Sequence, residues 1–174
     1  MSFADRARKI KAVILDVDGV LTDGRLGYSG SGAPLKFFHV RDGHAMKMAL
    51  RYGLLVGILS GRDDAATHAR AQELGLSFCY TGQKVKTEAL TRLLAAHQLQ
   101  VEECAYVGDD VVDIPVLRRV GLAVCVADAD PEVVPHVHWQ TTLAGGQGAV
   151  REVIFRLLRE QGKWDEAMAR YLNE

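Results

Sequence analysis

Residues 13–24 (Val-Ile-Leu-Asp-Val-Asp-Gly-Val-Leu-Thr-Asp-Gly) constrain the fold more than any other stretch, because an apolar strand runs straight into two aspartates and a glycine-rich turn. Placing a carboxylate in or beside an apolar run costs on the order of several kcal/mol unless a metal, a cation or aimed donors compensate it. In a continuous strand Asp16 and Asp18 would share a face, because side chains alternate. If the strand stops near Asp16, the turn can aim the Asp18 side chain and its carbonyl in different directions. That arrangement suits a magnesium site with a carboxylate nucleophile. Taken alone, the stretch reads more readily as a strand followed by an acidic turn or helix cap.

Other strand ends sharpen the choice. Leu54 to Leu59 is apolar and ends in Ser60-Gly61-Arg62; Ala105 to Val107 ends in Gly108-Asp109-Asp110, with Asp113 one helical turn on. Ser77 to Tyr80 leads through Thr81-Gly82-Gln83 to Lys84 and Lys86. Short apolar strands separated by helical segments imply a parallel sheet, whose ligands bind beyond the carboxyl ends of the strands. The polar residues therefore converge on one edge of an α/β, Rossmann-like sheet flanked by helices.

The 174 residues suit a single domain, 1–174, with a core large enough to need no staples. A formal net charge of −1 gives no electrostatic reason to favour nucleic acid or an anionic membrane, so any anion is bound locally. Cys79, Cys104 and Cys125 lack metal-type spacing and read as reduced core thiols. With a polar stretch from Met1 to Lys11 and no run of transmembrane length, the expected location is cytoplasmic.

Between Asp23 and Val40 the glycines and interspersed Leu26, Tyr28, Leu35 and Phe37 predict a β-hairpin with its tip near Ser29 to Pro34. Its apolar residues need a partner surface, either on this chain or in an oligomer. A helix then opens at Arg41-Asp42-Gly43-His44, with Asp42 as the expected N-cap, and ends near Gly53. His44 reads as a surface or satisfied histidine. Further helices are expected from Asp63-Asp64 to Leu74, over 85–98, after Asp109 with Pro115 in its early turns, and over 149–160 and 164–172; a further strand is expected over 121–126.

A carboxylate attacking a phosphate ester meets an anion, so the approach needs cations and aligned donors. Magnesium prefers oxygen ligands and keeps several waters, so Asp16, Asp109 and the Asp18 carbonyl are enough protein for it. Asp110 and Asp113 would stand behind these ligands, Asp113 orienting a metal-bound water. Ser60 can donate to phosphate oxygens and Lys86 can neutralise charge. Each also has a plain structural reading: Ser60 as a helix cap, Lys86 on a solvated helix face.

Together, Asp16-Val17-Asp18-Gly19-Val20-Leu21-Thr22, Leu59-Ser60-Gly61-Arg62, Lys86 and Gly108-Asp109-Asp110-Val111-Val112-Asp113 resemble the four motifs of the haloacid dehalogenase-like phosphotransferases, in order. The resemblance implies that Asp16 is the nucleophile, Asp18 the general acid and base, and Asp109 a magnesium ligand, with Ser60 and Lys86 also catalytic. Phe37 to Gly43, Gly82-Gln83 and Ala144 to Val153 resemble the 3-deoxy-D-manno-octulosonate 8-phosphate phosphatases. That group lacks a large cap domain and forms homotetramers in which hairpins associate and a neighbour helps to close the site. Here too few residues separate Asp18 from Ser60, or Ser60 from Asp109, to hold a cap.

By this resemblance, Arg41, Asp42, Gly43, Lys47, Arg62, Arg70 and Lys86 bind substrate. Relatives acting on nine-carbon sugar acids tend to carry an acidic residue after the motif glycine, so Gly61-Arg62 leans toward the eight-carbon sugar; a surface arginine at a helix start is the other reading. Gln147 stands where some relatives have arginine. The implied activity is magnesium-dependent hydrolysis of 3-deoxy-D-manno-octulosonate 8-phosphate, a step toward lipopolysaccharide precursors. The alternatives are a phosphatase for a nine-carbon sugar acid or another small phosphate, and a non-catalytic assembly subunit.

Overall fold

The structure is a computed structural model describing residues 1–173. Its centre is β1 (Ala12–Leu15), entirely buried, which pairs in parallel with β4 (Leu55–Leu59) on one side and β6 (Cys104–Gly108) on the other. With β5 (Phe78–Tyr80), β7 (Leu122–Cys125) and β8 (Trp139–Gln140) this gives a six-stranded parallel sheet in the order β5-β4-β1-β6-β7-β8. β2 (Gly27–Tyr28) and β3 (Pro34–Leu35) form a separate antiparallel hairpin, and no cap domain is inserted among the described residues.

Strand alternation splits the core between the two faces of the sheet. Val13 and Leu15 of β1, with Ala105 and Val107 of β6, pack under α2 (Val40–Arg51) and α6 (Ala149–Glu160). Ala12, Ile14, Cys104 and Tyr106 face α4 (Lys86–His97) and α5 (Ile114–Leu117) instead. Burial on both faces is why these strands read as continuous apolar runs. α3 (Ala65–Leu74) begins at Asp64, whose carboxylate accepts from Thr67 N at 2.8 Å, and ends on Gly75 in the left-handed region. α1 (Phe3–Ala7), which composition alone did not suggest, is set by a capping box of Ser2 and Asp5, and α7 (Trp164–Leu172) closes the described chain.

The expected cap of α2 is corrected. The helix starts at Val40 and the Nδ1 of His39 accepts from Arg41 N at 3.2 Å, which places Asp42 inside the first turn. There it is 1% exposed and accepts from Arg151 N at 2.7 Å, tying α2 to the start of α6. His44 is satisfied as expected, 2.9 Å from the Tyr171 hydroxyl.

Candidate active site

β1 delivers Asp16, β4 delivers Ser60 and β6 delivers Asp109 to the same sheet edge, and these three line a cleft of about 410 Å³ with Asp18, Gly24, Gly61, Arg62, Lys86, Asp110 and Val112. The turn after Asp16 is wound tightly: Gly19 N and Gly24 N both donate to Thr22 Oγ1 at 3.2 Å. Gly19 has φ +92°, and a Cβ there would lie 2.0 Å from Asp109 Oδ2. Gly145 and Gly146 press against the same turn, Gly146 N donating to Val20 O at 2.9 Å; a Cβ on Gly145 would meet the Gly19 carbonyl at 1.7 Å. The tail glycines thus brace the turn by backbone contact, while Gln147 is exposed.

Lys86 is the electrostatic hub. Its Nζ is ion-paired at 2.9 Å to Asp16 Oδ1 and at 2.7 Å to Asp113 Oδ1, and donates to the Tyr106 hydroxyl at 3.1 Å. Burial alone would lower its pKa, but Asp16 and Asp113 outweigh burial and raise it, so the ammonium persists. Tyr106 in turn donates to Asp113 Oδ1 at 2.6 Å, and Asp113 Oδ2 accepts from Asp109 N and Asp110 N at 2.9 and 3.2 Å. Asp113 is therefore fully engaged in fixing Lys86 and the Asp109 loop.

Asp18 is held differently. Lys36, just beyond β3, places Nζ 2.8 Å from Asp18 Oδ1, a close ion pair without hydrogen-bond alignment, and 2.8 Å from Asp64 Oδ2. Arg62 Nε stands 3.5 Å from Asp18 Oδ2. Sequence reasoning missed Lys36 and Tyr106: a lysine between exposed Leu35 and Phe37 reads as a solvated charge, and a tyrosine inside an apolar strand reads as core.

Several expected substrate residues do not reach the cleft within this chain. Arg41 and Lys47 are exposed on α2, and Asp42 supports α6. Gly43 makes room for Arg70: a Cβ at Gly43 would lie 2.2 Å from the guanidinium, which bonds Glu73 at 2.8 Å and sits over the Phe38 ring.

The residues suit a hard divalent cation. Carboxylate oxygens of Asp16, Asp109 and Asp113 lie within 4.8 Å of one another, and Asp109 Oδ1 is buried without a hydrogen-bond partner. With Asp113 engaged, Asp16 and Asp109 are the carboxylates left to hold the ion. Burial, only partly offset by Lys86, raises the Asp16 pKa to about 6; burial, then the charges of Asp16, Asp113 and Asp110, raise that of Asp109 to about 8. A carboxyl raised above its ordinary value of 3.8 binds a proton more tightly folded than unfolded, so without a cation the fold loses stability as pH rises from about 4 to about 8. Magnesium is expected to raise the melting temperature by several degrees at pH 8 and by less at pH 5, with Asp109→Asn abolishing the difference. A melting temperature unaffected by magnesium at pH 8 would contradict this assignment.

Gly19→Ala is expected to weaken magnesium activation about tenfold or more, by straining the turn and displacing Asp109. An unchanged magnesium activation constant would show that the tight approach is dispensable.

A parallel sheet gathering an aspartate pair, a serine, a lysine and a third aspartate at its carboxyl edge defines a haloacid dehalogenase-like hydrolase, and a family profile of that description matches residues 43–121. The 3-deoxy-D-manno-octulosonate 8-phosphate phosphatase of Escherichia coli is 46% identical over 162 residues, 93% of this chain and 86% of its own length. The chain belongs to the 3-deoxy-D-manno-octulosonate 8-phosphate phosphatase family. Among solved structures, a probable YrbI family phosphatase from Pseudomonas syringae matches with a TM-score of 0.95 and 43% identity, covering 97% of this chain and 96% of its own. The 3-deoxy-D-manno-octulosonate 8-phosphate phosphatase of Moraxella catarrhalis, solved with magnesium ion, phosphate ion and the sugar acid, matches with a TM-score of 0.94 and 34% identity, covering 97% of both chains.

Proposed function

We propose that this chain is a magnesium-dependent phosphatase that hydrolyses 3-deoxy-D-manno-octulosonate 8-phosphate to the free sugar acid and phosphate. The observation that carries the reading is the convergence of Asp16, Asp18, Ser60, Lys86 and Asp109 on one cleft in a chain of this family. Asp16 attacks phosphorus to form an aspartyl-phosphate, with Lys86 fixing its carboxylate and offsetting the charge of the ester. Asp18 protonates the leaving sugar oxygen and then takes a proton from the hydrolytic water. Ser60, 2% exposed and anchored through its backbone N to Tyr80 O at 2.8 Å, donates to a phosphate oxygen. Arg62, on the open side of the cleft, suits the sugar carboxylate. Asp16, Asp109 and the Asp18 carbonyl would hold the magnesium ion, which would supply charge neutralisation at the phosphoryl group.

Phosphate release from a panel holding the eight-carbon ester, a nine-carbon keto-deoxy sugar acid phosphate and simple hexose phosphates tests this. The eight-carbon ester is expected to show the highest kcat/KM. Preference for the nine-carbon ester would move the assignment to that sugar, and no release from any ester would favour an assembly subunit.

The protein acts as a homotetramer in this reading. Leu26, Tyr28, Leu35, Phe37 and Val40 on and beside the hairpin are 43%, 62%, 47%, 84% and 79% exposed, an apolar surface that a lone chain leaves in water. Arg41 and Lys47, outside their own cleft, then serve a neighbour's substrate, while Asp42, Gly43 and Arg70 support them. Sedimentation is expected to give about four times 19.1 kDa, and shortening the tip between Ser29 and Pro34 to lower assembly and activity together. A fully active monomer would contradict this. No helix among the described residues is long and apolar enough to cross a membrane, and the three free cysteines suit a reducing, cytoplasmic setting.

A further inference from the structure

Lys36 is a lysine with its side chain only 2% exposed, on a hairpin whose flanking residues Leu35 and Phe37 are open to solvent. Burying an ammonium is costly unless anionic partners surround it, and Lys36 has two, Asp18 at 2.8 Å and Asp64 at 2.8 Å, with Thr67 Oγ1 at 3.4 Å. The Asp64 end is rigid, because the same carboxylate caps α3 through Thr67 N and Thr67 Oγ1. The Asp18 end is the acid and base assigned above. One buried cation therefore joins three parts of the molecule: the turn after β1, the hairpin and the start of α3.

With its side chain 2% exposed, Lys36 is not among the residues that line the cleft, and its contact with them is the ion pair to Asp18. Arg62 also touches Asp18, but at 3.5 Å and 57% exposed, in a position free to turn toward substrate. Resting on the phosphatase reading above, we propose that Lys36 is a positioning residue that clamps the Asp18 carboxylate between the hairpin and α3, so that the seating of the hairpin sets the alignment of the acid and base. Misplacing a proton donor by about 1 Å costs on the order of 10²-fold in rate. That penalty applies only where the leaving group needs the proton, which gives the proposal a signature distinct from a loosened fold.

The test uses the full-length, magnesium-loaded enzyme and compares kcat/KM for the alkyl ester 3-deoxy-D-manno-octulosonate 8-phosphate with that for 4-nitrophenyl phosphate, whose leaving group departs without a proton. Lys36→Met is expected to lower the alkyl value about tenfold or more and the aryl value several-fold less, with partial recovery in Lys36→Arg and unchanged sedimentation. Equal losses on both esters, or no loss on either, would overturn the proposal. If Lys36→Met does not fold, Asp64→Asn decides by the same ratio, since asparagine keeps the cap of α3 while removing the charge that holds the far end of Lys36. If the wild type does not hydrolyse the eight-carbon ester, the phosphatase assignment to that sugar fails, and the clamp is judged on whichever alkyl phosphate the wild type cleaves.

Discussion

Asp16→Asn is expected to lower phosphate release by on the order of 10⁵-fold or more while leaving the fold intact. An amide has no carboxylate oxygen with which to form an acyl phosphate, and the neighbouring carboxylates are otherwise committed: Asp18 is paired with Lys36, Asp109 is turned against Gly19 and Asp113 is bound by Lys86, Tyr106 and two backbone amides. The fold should survive, because burial already works against ionised Asp16, and Lys86 keeps Asp113 at 2.7 Å. Without magnesium the variant is expected to melt no lower than the wild type at pH 8. Substantial residual turnover, with contamination excluded, would remove Asp16 from the nucleophile's role.

Asp18→Asn is expected to slow both half-reactions by about 10²-fold or more, because in the proposed mechanism one residue serves both as proton donor to the sugar oxygen and as base toward water. Substrate and magnesium binding should change little, since the backbone carbonyl of residue 18 remains. With an activated ester, phosphoryl transfer should recover more than hydrolysis. The variant also leaves Lys36 with Asp64 as its remaining ion pair, so a modest fall in melting temperature is expected beside the kinetic effect. Wild-type turnover of every ester would reduce Asp18 to a metal-positioning residue.

The parts of the site visible in the sequence are those that a parallel sheet places by rule. Asp16, Ser60 and Asp109 follow apolar runs directly, and ligands meet a parallel sheet beyond its carboxyl ends. Gly75 marked the end of α3, and helical spacing over 149–160 gave α6 because one buried stripe repeats there. Lys36 was not visible because its partners, Asp18 and Asp64, come from other elements and meet it only after folding. Tyr106 was hidden because strand alternation buries it like an aliphatic neighbour, and only its hydroxyl contacts distinguish it. Asp42 looked like a cap because acids favour helix starts, yet His39 takes that place and frees Asp42 to hold Arg151. β8 spans only Trp139–Gln140, too short for any period to register.

Covalent catalysis by Asp16 is tested most directly by rapid acid quench of Asp18→Asn reacting with a ³²P-labelled activated phosphate ester, followed by peptide mapping. Label is expected to accumulate on the peptide containing Asp16, in an acid-stable, base-labile linkage, at a level approaching the enzyme concentration. Steady release of phosphate with no labelled peptide, or label on another residue, would contradict the account.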